Sequence, residues 1–518
     1  MLSVPFWLSF VIGFLSLSEE IVWVRTVGFA YETLPPAFSF VLVCYLLGIA
    51  VGAALGKRIC ASVGNLYAAA AVLLSAAALT DVLTPPVVGL FMSRVDTDLG
   101  VAAGMMVVTA GLKSALFPIV HHLGTVADRT HLGRSMSRIY FGNIMGATLG
   151  PILTGFVALD HLNVDECFGL AGAVCLLASV VCVLKSAKPL LLLATMAAAA
   201  LSSFVSYHYL LPGPGVLGAF AVGNSALNHF IANRHGVVHT VVTTQGQFVF
   251  GGNVYDGIAA VNVDNNQNRL DRVYMAALAH PDSRNMLFIG LSTGAWVRAI
   301  EGVPGVESID VIEINPAYIK LIQEYPKLAP LLSDPRVHLH IDDGRRWLRR
   351  NPTARFDAII QNTSYYWRAN IGNLLSREYF SEVARHLNPG GIMIANTTGS
   401  FDVLATVGAV FPHTYRYANF VYASDRPLVP DVAVLSQVHR PDGALFSLDN
   451  APAGSVVALL QQAHLEEVQH FVDRHNAHAE VITDDNLLSE YRHGRRFGPR
   501  LLRALTPPET PEFALNEP

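Results

Sequence analysis

Met286-Leu-Phe-Ile-Gly-Leu-Ser-Thr-Gly294 is a short apolar run that breaks into a turn bounded by two glycines, and its reading decides the fold of the C-terminal half. The run is too short for a helix and suits a strand buried on both faces. Similar runs recur at 308–312, 337–341, 357–360 and 392–395, with helix-patterned stretches between them. Strands alternating with helices predict a parallel, doubly wound sheet, a Rossmann-like α/β domain. Ligands of such sheets sit at the carboxyl ends of the strands. Those positions read Gly290 to Gly294, then Glu313, then Asp342-Asp343-Gly344, then Gln361-Asn362-Thr-Ser364. Gly290 and Gly294 let the chain turn tightly against a ligand. Glu313 follows Gly290 by 23 residues, where an acid accepts both hydroxyl protons of a ribose. Asp343, with Gly344, stands where a carboxylate accepts from an adenine amino group. The combination predicts a nucleoside site. Upstream, 237–243 and 247–250 read as strands of a small hairpin lobe.

The N-terminal half has a different composition. Only 14% of the 518 residues are charged, against about 25% for a soluble protein, and the deficit lies before Pro212. Seven stretches have the roughly 20 apolar residues of a span, near 5–28, 36–56, 66–88, 98–120, 139–158, 165–185 and 188–211. A polytopic α-helical membrane domain is expected, with the lipid bilayer as partner. Gly48, Gly52, Gly56 and Gly142, Gly146, Gly150 recur at helical spacing, as helix–helix contacts require. Glu19, Glu20, Arg25 and Lys113 lie inside spans, where ionisable groups pair or form a polar site. Lys57 and Arg58, then Arg129, Arg134 and Arg138, then Lys185 and Lys188 fall in alternate loops, which makes those loops and the N-terminus cytoplasmic. Seven crossings then leave the soluble half outside. An incomplete crossing, or a return near 215–222, would keep it inside. All five cysteines lie in the apolar half without metal-ligand spacing, and no metal site is expected. A net charge of −5 with no basic arm speaks against nucleic acid as a partner. The expected organisation is a membrane domain over 1–211, a linker over 212–235, a β lobe with its leading helix over 236–282, the nucleoside-binding domain over 283–425 and a C-terminal extension over 426–518.

From Asn285 to Ser400 the chain resembles spermidine synthases and the wider class I methyltransferase-like fold. Met286–Gly294 resembles their glycine loop, Val311-Ile-Glu-Ile-Asn-Pro316 their ribose-binding strand end and Ile341-Asp-Asp-Gly-Arg345 their adenine-binding turn. Leu375-Ser-Arg-Glu-Tyr-Phe380 and Leu387-Asn-Pro-Gly-Gly391 resemble the segments after their catalytic loop. Tyr274, ahead of Ala279-His-Pro281, resembles the tyrosine of their leading helix. Glu20-Ile-Val-Trp-Val-Arg25, Gly133-Arg134, Thr483-Asp-Asp485 and Glu490-Tyr491 are similar to segments of fused, membrane-bound members.

The resemblance implies a transferase whose group donor is S-adenosylmethionine or its decarboxylated form, with a small-molecule acceptor and a second copy of the chain as further partners. It places Gly290, Thr293, Gly294, Glu313, Asp343 and Gly344 around the donor, and Tyr365, Asn362 and Tyr274 in catalytic positions. Two departures stand out. Thr293 replaces an acid of the glycine loop, and Tyr365 replaces the acid that holds the acceptor amine. An acid at 293 would repel the donor's carboxylate, by about 4 kcal/mol at 4 Å and a dielectric near 20, and threonine removes that repulsion. A dicationic acceptor such as putrescine loses two attracting anions. Tyr365, Tyr366 and Trp367 offer an aromatic wall for a cation, and Arg368 a bidentate partner for a carboxylate. The group transferred stays open among aminopropyl, aminocarboxypropyl and methyl. A non-catalytic nucleoside sensor on a transporter-like bundle is the competing reading. The donor, made in the cytoplasm, argues for a cytoplasmic α/β domain on a multi-pass cell-membrane protein.

Overall fold

Long apolar stretches, two of them with a proline in the first turn (Pro5 and Pro35), become helices in the first half of the chain, and the computed structural model describes residues 3–92, 99–126, 132–209 and 214–491. The chain divides into two compact units, changing from one to the other near Asn224. The first contains α1 (Val4–Ala30), α2 (Pro35–Ser62), α3 (Leu66–Met92), α4 (Leu99–Val126), α5 (Leu132–Leu153), α6 (Val164–Ser186) and α7 (Pro189–Tyr209). A π-turn, Thr154–Ala158, prolongs α5 to His161. Six of these helices, α1 to α6, are long and apolar enough to cross a membrane. Arg129, one of the basic residues of the topology argument, lies outside the described residues, as do Pro212 and Gly213 of the linker.

Helix packing in this unit follows the glycines. Gly48, Gly52 and Gly56 of α2 lie against the backbone of α4 at Val107, Gly111 and Ala115, and a Cβ on Gly52 or Gly56 would fall onto a carbonyl. Gly142, Gly146 and Gly150 of α5 lie in the same way against the carbonyls of Phe6, Phe10 and Phe14 in α1. Only hydrogen at these positions permits backbones so close, and close approach is how helices gain contact energy where solvent gives no hydrophobic drive. Leu46, Leu47, Leu177 and Leu184 point outward and are exposed. This inverts the pattern of a soluble bundle.

The path of α7, which is not among these six, bears on the seventh stretch. It starts beside Ser186, the last residue of α6. By Val216 the chain is at the other end of α6, where the Val216 N–H donates to Asp165 Oδ1 at 2.9 Å. A 23-residue α6 is about 34 Å long, so α7 runs the length of the bundle. The helix Gly215–Phe220 that follows has 6 residues, too few for the return considered over 215–222.

The second unit opens with a four-stranded antiparallel sheet in the order β1 (Leu227–Asn233), β2 (Gly236–Thr243), β3 (Gly246–Gly251), β4 (Val254–Ile258). Its main sheet has eight strands: β5 (Asn285–Ile289), β6 (Ser308–Glu313), β7 (Val337–Ile341), β8 (Phe356–Gln361), β9 (Leu387–Asn396), β10 (His413–Tyr417), β11 (Phe420–Ser424) and β12 (Glu466–Glu467). Their order is β12-β10-β11-β9-β8-β5-β6-β7. β5 to β9 pair in parallel, while β11 is antiparallel to β9 and to β10. The five parallel strands are those expected from sequence. The hydrophobic core also takes in Val238 and Val249 of the small sheet and Leu435, Phe446 and Leu460 from beyond β11. Lobe, central sheet and extension thus share one core, not three.

Candidate nucleoside and acceptor site

β5 lies between β6 and β8, so the strand order reverses beside it and a crevice opens at its carboxyl end. Gly290 closes β5 with φ +94°, and a Cβ there would lie 2.6 Å from the Asn362 carbonyl at the end of β8. Gly344 begins the helix after β7 so close to β5 that a Cβ would lie 2.6 Å from Ile289 Cγ2. Gly294, with φ +76°, ends the turn and starts the helix Ala295–Ile300.

Glu313 ends β6 and is 5% exposed. Its Oε2 accepts the Leu291 N–H at 2.9 Å and its Oε1 the Asn315 N–H at 2.7 Å. Each carboxylate oxygen keeps a second lone pair, as a pair of ribose hydroxyls requires. Burial pushes the Glu313 carboxyl up to about 7; the backbone N–H groups act against that and the charge of Asp256 adds to it. Asp343 ends the β7 turn and caps the helix Gly344–Arg350, with Oδ1 accepting the Arg346 N–H at 2.7 Å.

Asp256, on β4, is the residue that sequence reasoning missed. It accepts a hydrogen bond from the Tyr318 hydroxyl, and Ser292 of the glycine turn donates to its backbone carbonyl. Burial raises its carboxyl to about 6, opposed by Tyr318, Arg368 and Ser292. Tyr365 and Tyr255 also feel its charge, and burial chiefly raises both phenols. Burial lowers Arg368, opposed by Tyr318 and Asp256, and its Nη1 donates to Ser364 Oγ at 2.6 Å. The small sheet therefore brings a carboxylate to the strand ends. A signal for it was present: an acid within Val254-Tyr-Asp-Gly-Ile258 must find a partner to be buried.

The other expected site residues divide. Tyr365 is half-buried and stacks on Trp367 at 5.3 Å. Tyr366 and Trp367 are buried, so the proposed aromatic wall narrows to Tyr365 backed by Trp367. The Asn362 side-chain carbonyl accepts from Asn396 at 3.2 Å. Thr293 is buried, its Oγ1 accepting from Ala295 and its methyl against Gly257 of β4. Tyr274 is fully buried in the core with its ring edge-on to Phe446 at 5.2 Å. It forms part of the packing and does not cover the strand ends as expected; the helix Leu270–Ala279 turns this face to the C-terminal segment. That segment also grips the loop after β8. Asp484 pairs with Arg345 at 2.7 and 2.8 Å and accepts from Ser376 at 2.7 Å, and Glu490 accepts the N–H groups of Asn370 and Gly372. Among the described residues no group of three His, Cys, Asp or Glu side chains is arranged to hold a metal.

Strand order and site together define a Rossmann-like domain of the class I methyltransferase type. Residues 272–406 match the spermine/spermidine synthase domain, and the second unit carries a domain of that kind. The chain is 26% identical over 482 residues to the polyamine aminopropyltransferase of Mycobacterium tuberculosis, which covers 84% of this chain and 90% of that protein. A match of that length takes in the helical unit as well. The spermine synthase of Arabidopsis thaliana is 32% identical over 144 residues, 27% of this chain and 39% of that one. The structure of spermidine synthase from Thermotoga maritima aligns with a TM-score of 0.35 at 16% identity, over 46% of this chain and 85% of that one.

Proposed function

We propose that the second unit is a transferase that binds S-adenosylmethionine or its decarboxylated form at the ends of β5, β6 and β7 and serves a small amine acceptor other than putrescine. The observation that supports this best is Asp256. The loop after β8 lacks the acid expected of spermidine synthases, and β4 supplies a carboxylate beside Tyr318, Arg368 and Tyr365 instead. Glu313 and Asp343 are the groups that would hold the nucleoside, and the lone pairs left on Glu313 fit that role. Bound there, the sulfonium supplies an electrophilic carbon. Asp256 orients the acceptor amine and takes up its proton, for which a carboxyl near pH 6 is suited. Tyr365 offers a ring face to the acceptor's cationic form. A sensor without catalysis drew its support from the missing carboxylate, and Asp256 removes that support.

Purified full-length protein incubated with each sulfonium donor and analysed by mass spectrometry tests the reading. Release of the nucleoside thioether on addition of an amine, with little spermidine formed from putrescine, is the expected result. Bound donor that is never cleaved favours the sensor, and robust spermidine formation overturns the assignment of the β8 loop.

We further propose that the helical unit spans the cell membrane and that the α/β unit faces the cytoplasm. Its six long apolar helices and exposed leucines support the first statement. The supply of a cytoplasmic donor supports the second, against the lysine and arginine alternation, since α7 carries the chain to the end of the bundle opposite Lys185 and Lys188. A reporter active only in the exported compartment, fused after Pro518, is expected to stay silent. A strong signal means that the charge rule holds and the donor assignment fails.

A further inference from the structure

Glu19, Asp81 and Lys113 stand near the midpoints of three helices, α1, α3 and α4. None is more than 1% exposed. Lys113 Nζ donates to Glu19 Oε2 at 2.8 Å and to Asp81 Oδ1 at 2.5 Å. Two other titratable groups face the set: Tyr45 of α2, whose hydroxyl is 3.5 Å from Glu19 Oε2, and Cys175 of α6, whose Sγ is 3.8 Å from Asp81 Oδ2. Glu20 of α1 adds a charge on the Tyr45 side. No charged side chain of α5 or α7 touches the three among the described residues.

Two carboxylates around one ammonium leave one excess negative charge in an apolar interior, where unbalanced charge is costly. One added proton balances the set. Both Asp81 oxygens are engaged, by Lys113 and Cys175. Glu19 Oε1 also lies 2.8 Å from the same ammonium and, Lys113 apart, has no hydrogen-bond partner among the described residues although it is buried. The indole N–H of Trp23, one turn further along α1, is likewise buried without an acceptor. We infer that the Glu19–Asp81 pair is a reversible proton site, taking up and releasing one H⁺ beside the Lys113 ammonium. The helical unit then binds a proton in mid-bundle and is more than an anchor. The inference rests on the reading of that unit as membrane-spanning.

Infrared difference spectra of the full-length protein in lipid nanodiscs, recorded across a pH titration, test it. The expected result is a carboxylic-acid carbonyl band that shifts in heavy water, fades as pH rises and disappears in Glu19→Gln. It also disappears in Asp81→Asn, because one carboxylate then balances Lys113 and Glu19 stays ionised; Glu20→Gln leaves it in place. Absence of the band in the unaltered protein, or its survival in Asp81→Asn, overturns the proposal. Should Glu19→Gln fail to fold, the Asp81→Asn spectrum carries the same decision. Recovery of the protein from cells without detergent overturns the membrane reading separately from either spectrum.

Discussion

Replacing Glu313 by glutamine is expected to weaken methylthioadenosine binding about 100-fold, measured by titration calorimetry on the full-length protein. A hydrogen bond to a charged group contributes about 1.5–3 kcal/mol, and Glu313 has lone pairs for two ribose hydroxyls. Glutamine keeps a carbonyl oxygen for one buried backbone N–H and loses the charge. Alanine is the harsher change, since it orphans the N–H groups of both Leu291 and Asn315 at about 1–3 kcal/mol each and lowers thermal stability as well. The charge also sets a pH dependence. The ionised form accepts the hydroxyls, and the carboxyl sits near 7, so affinity falls as pH drops through about 7, by roughly tenfold per pH unit. Glutamine flattens that profile. Stability moves with the opposite sign. A folded-state value raised from 4.5 to about 7 means that the folded protein binds more protons in that window, so stability falls as pH rises through it. Unchanged affinity in the glutamine variant would falsify the ribose assignment.

Asp256→Asn is expected to lower turnover by about 10²–10⁴, the range for loss of a general base, with nucleoside affinity nearly unchanged at pH 8. Asparagine still accepts from Tyr318, so the lobe is expected to stay folded. The charge of Asp256 helps to raise Glu313, so its removal also moves the midpoint of the nucleoside-binding pH profile downward. That shift reports the charge of Asp256, and the loss of turnover reports its part in the reaction. Full turnover in the asparagine variant would return the acceptor role to the β8 loop and leave Asp256 as a packing group.

The strand-end positions of Gly290, Glu313 and Asp343 could be read from sequence because each is local. Gly290, Glu313 and Asp343 each sit at the end of an apolar run, and strand ends in a parallel sheet converge. The surroundings of Tyr274, Tyr366 and Trp367 were misread for the converse reason. Tyr274 was assigned by its place in a helix, but which face of that helix meets the core depends on Phe446, far along the chain. Tyr366 and Trp367 are aromatic neighbours of Tyr365, and nothing in their order tells which ring stays open.

Periodicity and composition by themselves determined that the chain has an apolar helical half and a parallel α/β half. They also determined which glycines are closely packed and which strand ends carry acids. These are properties of consecutive residues. What only the tertiary structure decided is which distant groups meet. Asp256 reaches Tyr318 because the small sheet folds onto the glycine turn. Asp484 and Glu490 reach the β8 loop from the far end of the chain. Asp81 joins Glu19 and Lys113 because α1, α3 and α4 pack side by side in the bundle. A buried charge must find its counter-charge across whatever sequence distance the fold closes, and no local pattern records that distance.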